Sequence, residues 1–263
     1  MDLYAFPPIA TVLDVAYTLL MGLAGLLEPV IGVTSAAAAI VVVTLLVRAA
    51  LIPTAVSMAK GEQTRARLAP RMRDLQGRHR DDPERLQREL MKLYADEGTS
   101  PLAGCLPMLV QAPVVGVIYA LFILPTVNGH DNALLHETLA GVPLGTSFAG
   151  QVVQGTLGWP TAAVFAVLVL VIAAVAEATR RVFRPAGGGA LAPAATPAAT
   201  PGTPTAPGLM RALGFLPYLT AVIALFVPLA AGLYLATTVV WTLGQRMLLR
   251  RRFPLPVPPA APA

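Results

Sequence analysis

Arg48 is the only charged residue in the apolar run Ala36–Val56, AAAAIVVVTLLVRAALIPTAV. About 20 apolar residues make a helix of roughly 30 Å, enough to cross the hydrocarbon core of a bilayer. Arg48 then lies about eight residues, or about 12 Å, from the end at Val56. A central arginine costs about 2.5–3.5 kcal/mol on the insertion scale, while each Ile, Leu or Val returns roughly 0.3–0.6. The run carries ten of these apolar residues, so it still inserts. An ionisable residue at that depth lines a wet or protein-filled interior and marks a pathway; the other use of such an arginine is to snorkel to the headgroups.

Further polar side chains fall at matching depth. Thr44 is one turn from Arg48 on the same helical face. Gln111 is about ten residues into a second apolar run. Tyr234, Thr238, Trp241 and Gln245 recur at i, i+4, i+7 and i+11, which is one face of a helix near the end of the chain. The three sets predict one cavity open toward the cytoplasm, with interhelical hydrogen bonding as the alternative use of Gln111 and Thr238. No catalytic group is expected. His79, His130 and His136 fall in loops, away from any intramembrane nucleophile. His130-Asp131 and His136-Glu137 lack the spacing of metal ligands, and no GxxxxGK[ST] is present to hold a nucleotide. Neither metal nor cofactor is therefore expected. Cys105 is the sole cysteine, which excludes an internal disulfide. The LAGC sequence ending there imitates a lipoprotein box by chance.

The elements that must position these residues are membrane helices. Of 263 residues, 56% are hydrophobic and 13% charged, with a mean hydropathy of +0.67; a soluble domain carries about 25% charged residues. The fold class expected is an all-α integral membrane protein with five transmembrane helices, a cytoplasmic helical hairpin and an outer-surface N-terminal helix. The spans fall at 35–56, 102–124, 159–176, 212–227 and 229–249, and Pro228 makes the last two a tight hairpin. Basic residues set the orientation, because positive loops stay inside. Ten of the 19 lie between Ser57 and Pro101, and four flank a linker at 177–211 (Arg180, Arg181, Arg184, Arg211). Four more (Arg246, Arg250, Arg251, Arg252) sit where the last span meets the tail, 250–263. Neither the first 34 residues nor the loop 125–158 carries any. The N-terminus is therefore expected outside and the C-terminus inside.

Residues 1–34 hold an apolar stretch, Ile9–Leu27, without the basic start of a signal peptide. Asp14 and Tyr17 favour an outer-surface helix over a sixth span. Between the first two spans, Leu68, Met72 and Leu75, then Leu86, Leu90, Leu93 and Tyr94, form two apolar stripes. These predict a helical hairpin at 57–101 turning at GRHRDD, with Asp82 as N-cap and Pro83 at N1 of its second helix. Pro185–Gly208 is low-complexity Pro/Ala/Thr/Gly and predicts a disordered linker, as does the Pro-rich stretch after Phe253.

LLVRAALIP in the first span, the charged hairpin, SPLAGCLPMLVQAP over 100–113, and AGLY at 231–234 leading to Gln245 together resemble the YidC membrane protein insertases, which have relatives in mitochondria and chloroplasts. The resemblance covers nearly the whole chain outside the linker and the tail. It implies a hydrophilic groove open to cytoplasm and lipid, with Arg48 in the place of the groove arginine, through which nascent membrane proteins pass sideways into the bilayer. The family commonly has an aromatic residue after the Leu-Tyr of the last span, where this chain has Leu235. The ribosome and the Sec translocon are the further partners implied, and anionic lipids suit the basic loops. A cell (inner) membrane location follows. The Arg-to-Lys ratio of 17 to 2 and abundant Ala point to a GC-rich bacterium such as an actinobacterium. A small transporter or channel is the alternative class, although no repeated half is visible.

Overall fold

The computed structural model describes residues 7–98, 106–127, 129–183 and 216–254, with backbone only at 65, 73, 106–114, 216 and 217. The described chain is predominantly helical. Two helical segments, Pro7–Ala50 and Trp159–Val182, are long and apolar enough to cross a membrane. The linker expected at 177–211 lies mostly outside the described residues, as do Cys105 and the end of the tail.

The chain forms two compact units. The first comprises Met1–Ala50, Ala112–Leu191 and Arg211–Leu243. Here α1 (Pro7–Ile31) ends at a short 3-10 turn, Gly32–Thr34, and leans on α2 (Ser35–Ala50). Gly32 has a φ of +70°, a conformation that favours glycine. The paired faces are small: Leu13, Leu20 and Ala24 of α1, and Ser35, Ala36, Ala37, Ala39 and Ile40 of α2, are all buried. Helices α5 (Leu106–Ile123), α7 (Trp159–Val182), α8 (Leu216–Ile223) and α9 (Leu229–Arg252) contribute Phe122, Phe165, Ile172, Ala221 and Leu229–Ala231 to the same core. Gly232 lets α9 approach α7 closely, since an added Cβ would meet Leu168 Cδ2 at 2.6 Å.

The segment expected as a plain outer loop, 125–158, is built. It holds two short antiparallel pairs, β1 (Thr126–Val127) with β2 (His130–Asp131) and β3 (Thr138–Leu139) with β4 (Val142–Pro143), and then α6 (Phe148–Gln154). The β3–β4 turn places Ala140 at φ 51° and Gly141 at φ 80°, the left-handed pair that a two-residue hairpin requires. Asn132, 1% exposed, donates its Nδ2 to Leu121 O and Leu124 O at 2.8 and 2.9 Å, closing the carbonyl end of α5. The turn between α8 and α9 is stitched to this segment. Ala149 N donates to Leu225 O, Leu229 N to Thr146 O and Ala230 N to Leu144 O, all at 2.8–2.9 Å. On its other side the segment meets α1, through Asp14 with His130, Tyr17 with Ala133, and the 3-10 turn with β3.

The second unit comprises the described residues within Leu51–Gln111 and Gly244–Ala263. The run Ala36–Val56, expected as one helix, is divided at Leu51: α2 ends at Ala50, and α3 (Ile52–Arg78) begins with Pro53 in its first turn. A proline inside a helix lacks the N–H for the ladder and its ring crowds the carbonyl four residues back. The break therefore falls where proline is tolerated, at a helix start. Helix α4 (Pro83–Asp96) starts at the Asp82 cap, whose carboxylate accepts from Arg85 N at 2.9 Å. Leu68 and Leu86 are the buried residues of the two helices. Arg67 and Arg71 both pair with Glu97 at 2.6 and 2.7 Å, and Tyr94 OH lies 3.6 Å from Met72 Sδ. Helix α9 continues through Arg250, Arg251 and Arg252 rather than stopping at residue 249, because arginine is a good helix former and a cation suits the last turn. Beyond it, Pro254 O accepts from Gln63 Nε2 at 3.0 Å, and Lys60 Nζ stands 5.9 Å from the Phe253 ring.

Candidate functional site

Helix α2 carries two of the candidate residues. Thr44 is 1% exposed and spends its hydroxyl on its own helix, donating to Ile40 O at 2.6 Å. Arg48 follows in the last turn, half-buried, where a cation suits the negative end of the helix dipole. Among the described residues no carboxylate pairs with it.

Helix α9 carries Tyr234, Thr238, Trp241 and Gln245, and α5 carries Gln111. Tyr234 is buried, its ring centroid 6.0 Å from that of Phe122. One turn on, the Thr238 hydroxyl is buried with no hydrogen-bond partner among the described residues. Its neighbours differ: Thr237 and Thr242 each donate to the carbonyl four residues back, at 2.8 and 2.7 Å. An unsatisfied buried hydroxyl costs about 1–3 kcal/mol. Trp241 is half-buried on the same face.

Ile40, Val43 and Val47 of α2 and Tyr234, Leu235 and Val239 of α9 belong to one apolar core. Leu235, in the place where an aromatic was expected, thus packs as a core residue. No hydrogen bond joins Arg48 or Thr44 to Tyr234 or Thr238 among the described residues. Gln245 belongs to the second unit, and the Gln111 side chain lies outside the described residues.

Two polar clusters escaped the sequence. At the end of α7, Glu177 accepts from Arg180 Nε and Nη2 at 2.8 and 3.0 Å, from Arg181 Nε at 2.5 Å, and from the Tyr218 hydroxyl of α8. The i+3 and i+4 arginines were legible as helix-surface partners; Tyr218 was not, being 41 residues away. The second cluster joins α1 to the built segment: His130 Nε2 lies 2.9 Å from Asp14 Oδ1, the Tyr17 ring stands 5.2 Å from the imidazole, and Ala133 N donates to Tyr17 OH at 3.2 Å.

The hydrogen bond to Asp14, helped by the Asp131 carbonyl, raises the His130 pKa above 6.5. A raised folded-state pKa means that the contribution is full below the unfolded value and is lost as pH rises through the folded one. Thermal unfolding of the detergent-solubilised protein is expected to shift upward as pH falls from 8 to below the ordinary histidine value of about 6.5. The shift should flatten in His130→Ala and in Asp14→Asn; a slope unchanged from the native protein in both variants would assign it to other groups.

Residues 26–255 match the family model described as 60Kd inner membrane protein, and the chain belongs to that family. It is 30% identical over 229 residues to the membrane protein insertase YidC of Streptomyces avermitilis, a match covering 82% of this chain and 51% of that protein. Over 85 residues it is 40% identical to the YidC of Aquifex aeolicus, covering 32% of this chain and 17% of the relative. It is 27% identical over 240 residues to the inner membrane ALBINO3-like protein 2, chloroplastic, of Chlamydomonas reinhardtii, covering 86% and 52%. The chain spans about half the length of the curated relatives it matches across most of its own length. Family membership and the two apolar helical segments together place it in a membrane.

Proposed function

We propose that this chain inserts nascent membrane proteins, using a polar face formed by Arg48, Thr44, Tyr234, Thr238 and Trp241. The observation that carries the reading is Arg48 itself: a half-buried guanidinium on an apolar helix, with no carboxylate partner among the described residues. An intramembrane charge left without a fixed partner serves something that passes. The buried Thr238 hydroxyl supports the same reading, and two of the relatives above are named as insertases.

The physical task is to move a polar segment across about 30 Å of hydrocarbon, where each unsatisfied backbone group costs several kcal/mol. A hydrated groove entering part way shortens that path. Arg48 attracts acidic residues of the passing segment, while the client's apolar stretch partitions sideways into lipid.

Five spans, with the N-terminus outside and the C-terminus inside, go with this function. The contacts support that topology. The segment around 126–149, the turn between α8 and α9, and α1, each assigned to the outer side by the charge pattern, pack together. Helix α1 touches the 126–139 segment both at Asp14 and just past its end, points separated by about 27 Å of helix. Contact at both points supports a helix lying along the surface.

Reconstitution tests the function. Vesicles holding the protein are expected to render a newly synthesised client protease-protected, with no solute flux in its absence. Flux without a client, and no protection with one, would favour a small transporter. The ribosome and the Sec translocon are the partners proposed on the cytoplasmic side, beside anionic lipid. Replacing Arg250, Arg251 and Arg252 by Ala is expected to weaken ribosome co-sedimentation at low salt, because exposed cations bind phosphate in a salt-dependent way. Unchanged co-sedimentation would remove that end of α9 from the contact.

A further inference from the structure

Residues 152–160, VVQGTLGWP, are exposed at every position, and no Asp, Glu, Lys or Arg occurs between Glu137 and Glu177. Val153 is 87% and Trp159 82% exposed, with Val152 at 51% and Leu157 at 39%. An uncharged, half-apolar corner on a rigid base is poorly suited to water.

The base is rigid because the opposite side of α6 is pinned. Phe148 stacks 5.9 Å from Phe165 of α7, and Ala149 N is bonded to Leu225 O. The backbone is also closed on itself. Ser147 Oγ accepts from Gly150 N at 3.2 Å, and Gly155, left-handed at φ 67°, donates back into α6. Thr156 N donates to Gln151 O and its hydroxyl to Gln151 Oε1, both at 3.0 Å. Pro160 has no N–H to satisfy. The N–H groups of Leu157, Gly158 and Trp159 keep no partner among the described residues, so the corner suits the hydrated headgroup boundary and not the hydrocarbon interior. The corner continues directly into α7, which is apolar enough to cross the membrane, and begins it with a tryptophan, the residue enriched where bilayer meets water.

We infer that the α6–α7 corner, Val152–Pro160, is a monolayer anchor seated in the lipid at the headgroup and acyl boundary. By the topology proposed above, on which the side of the membrane rests, this is the outer leaflet. Val152, Val153, Leu157 and Trp159 face the acyl chains, while Gln154 and Thr156 stay at headgroup level. Such a segment sits about 5–10 Å into the boundary region. It would hold the Trp159 end of α7, and through Ala149 the turn between α8 and α9, at a fixed depth.

The test uses the full chain in phosphatidylethanolamine/phosphatidylglycerol vesicles, with Cys105→Ala and Val153→Cys carrying an environment-sensitive fluorophore. Expected is strong quenching, about half the emission or more, by a lipid nitroxide placed near the headgroup. A nitroxide at the chain terminus and aqueous iodide should each quench weakly. Native Trp159 fluorescence in a Trp241→Phe variant is the second readout and should follow the same order. Dominant iodide quenching overturns the inference, since the corner is then in water. Dominant quenching by the deep nitroxide overturns it as well, since the corner is then within a span. Blue-shifted emission that neither lipid probe quenches means a protein covers the corner and also overturns it. Sidedness is read separately, from labelling of His136→Cys by an impermeant maleimide in intact cells. Labelling only in inverted vesicles would overturn the topology and leave the lipid result standing.

Discussion

In vesicles carrying equal amounts of each variant, protection of a client with an acidic outer segment is expected to fall in the order Arg48, Arg48→Lys, Arg48→Ala, Arg48→Glu. Loss of the charge should cost on the order of tenfold, since opposite charges about 4 Å apart at an effective dielectric of 20 interact by about 4 kcal/mol, and a half-exposed guanidinium realises only part of that. Lysine keeps the charge but loses the planar five-donor fork. Glutamate repels the client outright. The protein itself should accumulate normally as Ala, because no described carboxylate is left behind and a charge that costs a few kcal/mol to hold in lipid is removed. Equal protection by Ala, Glu and Arg would show that the charge is not used, leaving hydration and local thinning of the bilayer to do the work.

The second large effect concerns folding. Asn132→Asp is expected to prevent accumulation of the protein, whereas Asn132→Ala should lower its thermal stability without abolishing it. In the native protein two N–H bonds reach the carbonyls of Leu121 and Leu124 from a side chain that is 1% exposed. Alanine leaves those carbonyls unpaired, at about 1–3 kcal/mol for each group that stays buried. Aspartate instead aims a carboxylate at two carbonyl oxygens in a buried site, adding repulsion and the cost of burying a charge. Asp accumulating as well as Ala would mean that the site opens to water.

Asn132 also shows where the sequence stops being informative. Long apolar runs and heptad-like stripes announce helices because burial repeats every 3.6 residues, so α2, α4, α7 and α9 are visible before any coordinates. The strands are not, since two residues cannot show alternation and their pairing is set by the turns at Gly129 and at Ala140-Gly141. Asn132 looks like an ordinary loop residue until the end of α5 is placed above it. The division of the first apolar run at Leu51 was available in principle from Pro53, but hydropathy alone outweighed it. Of the candidate residues, Arg48 stands out by chemistry and Thr238 only by geometry: its pattern matched a helical face, and nothing in the letters distinguishes it from Thr237 or Thr242, whose hydroxyls bond to their own helix.

Glu177 has a consequence for how the chain can change over generations. By receiving Arg180, Arg181 and Tyr218, it ties the end of α7 to the start of α8 directly through side chains. A join made by side chains relieves the intervening peptide of any duty to hold the two helices at a set spacing. That stretch is thereby released from selection on its length. Insertions, deletions and drift into simple sequence can gather there at little cost, and a reporter domain could be spliced into it with the helices on either side still tied at Glu177.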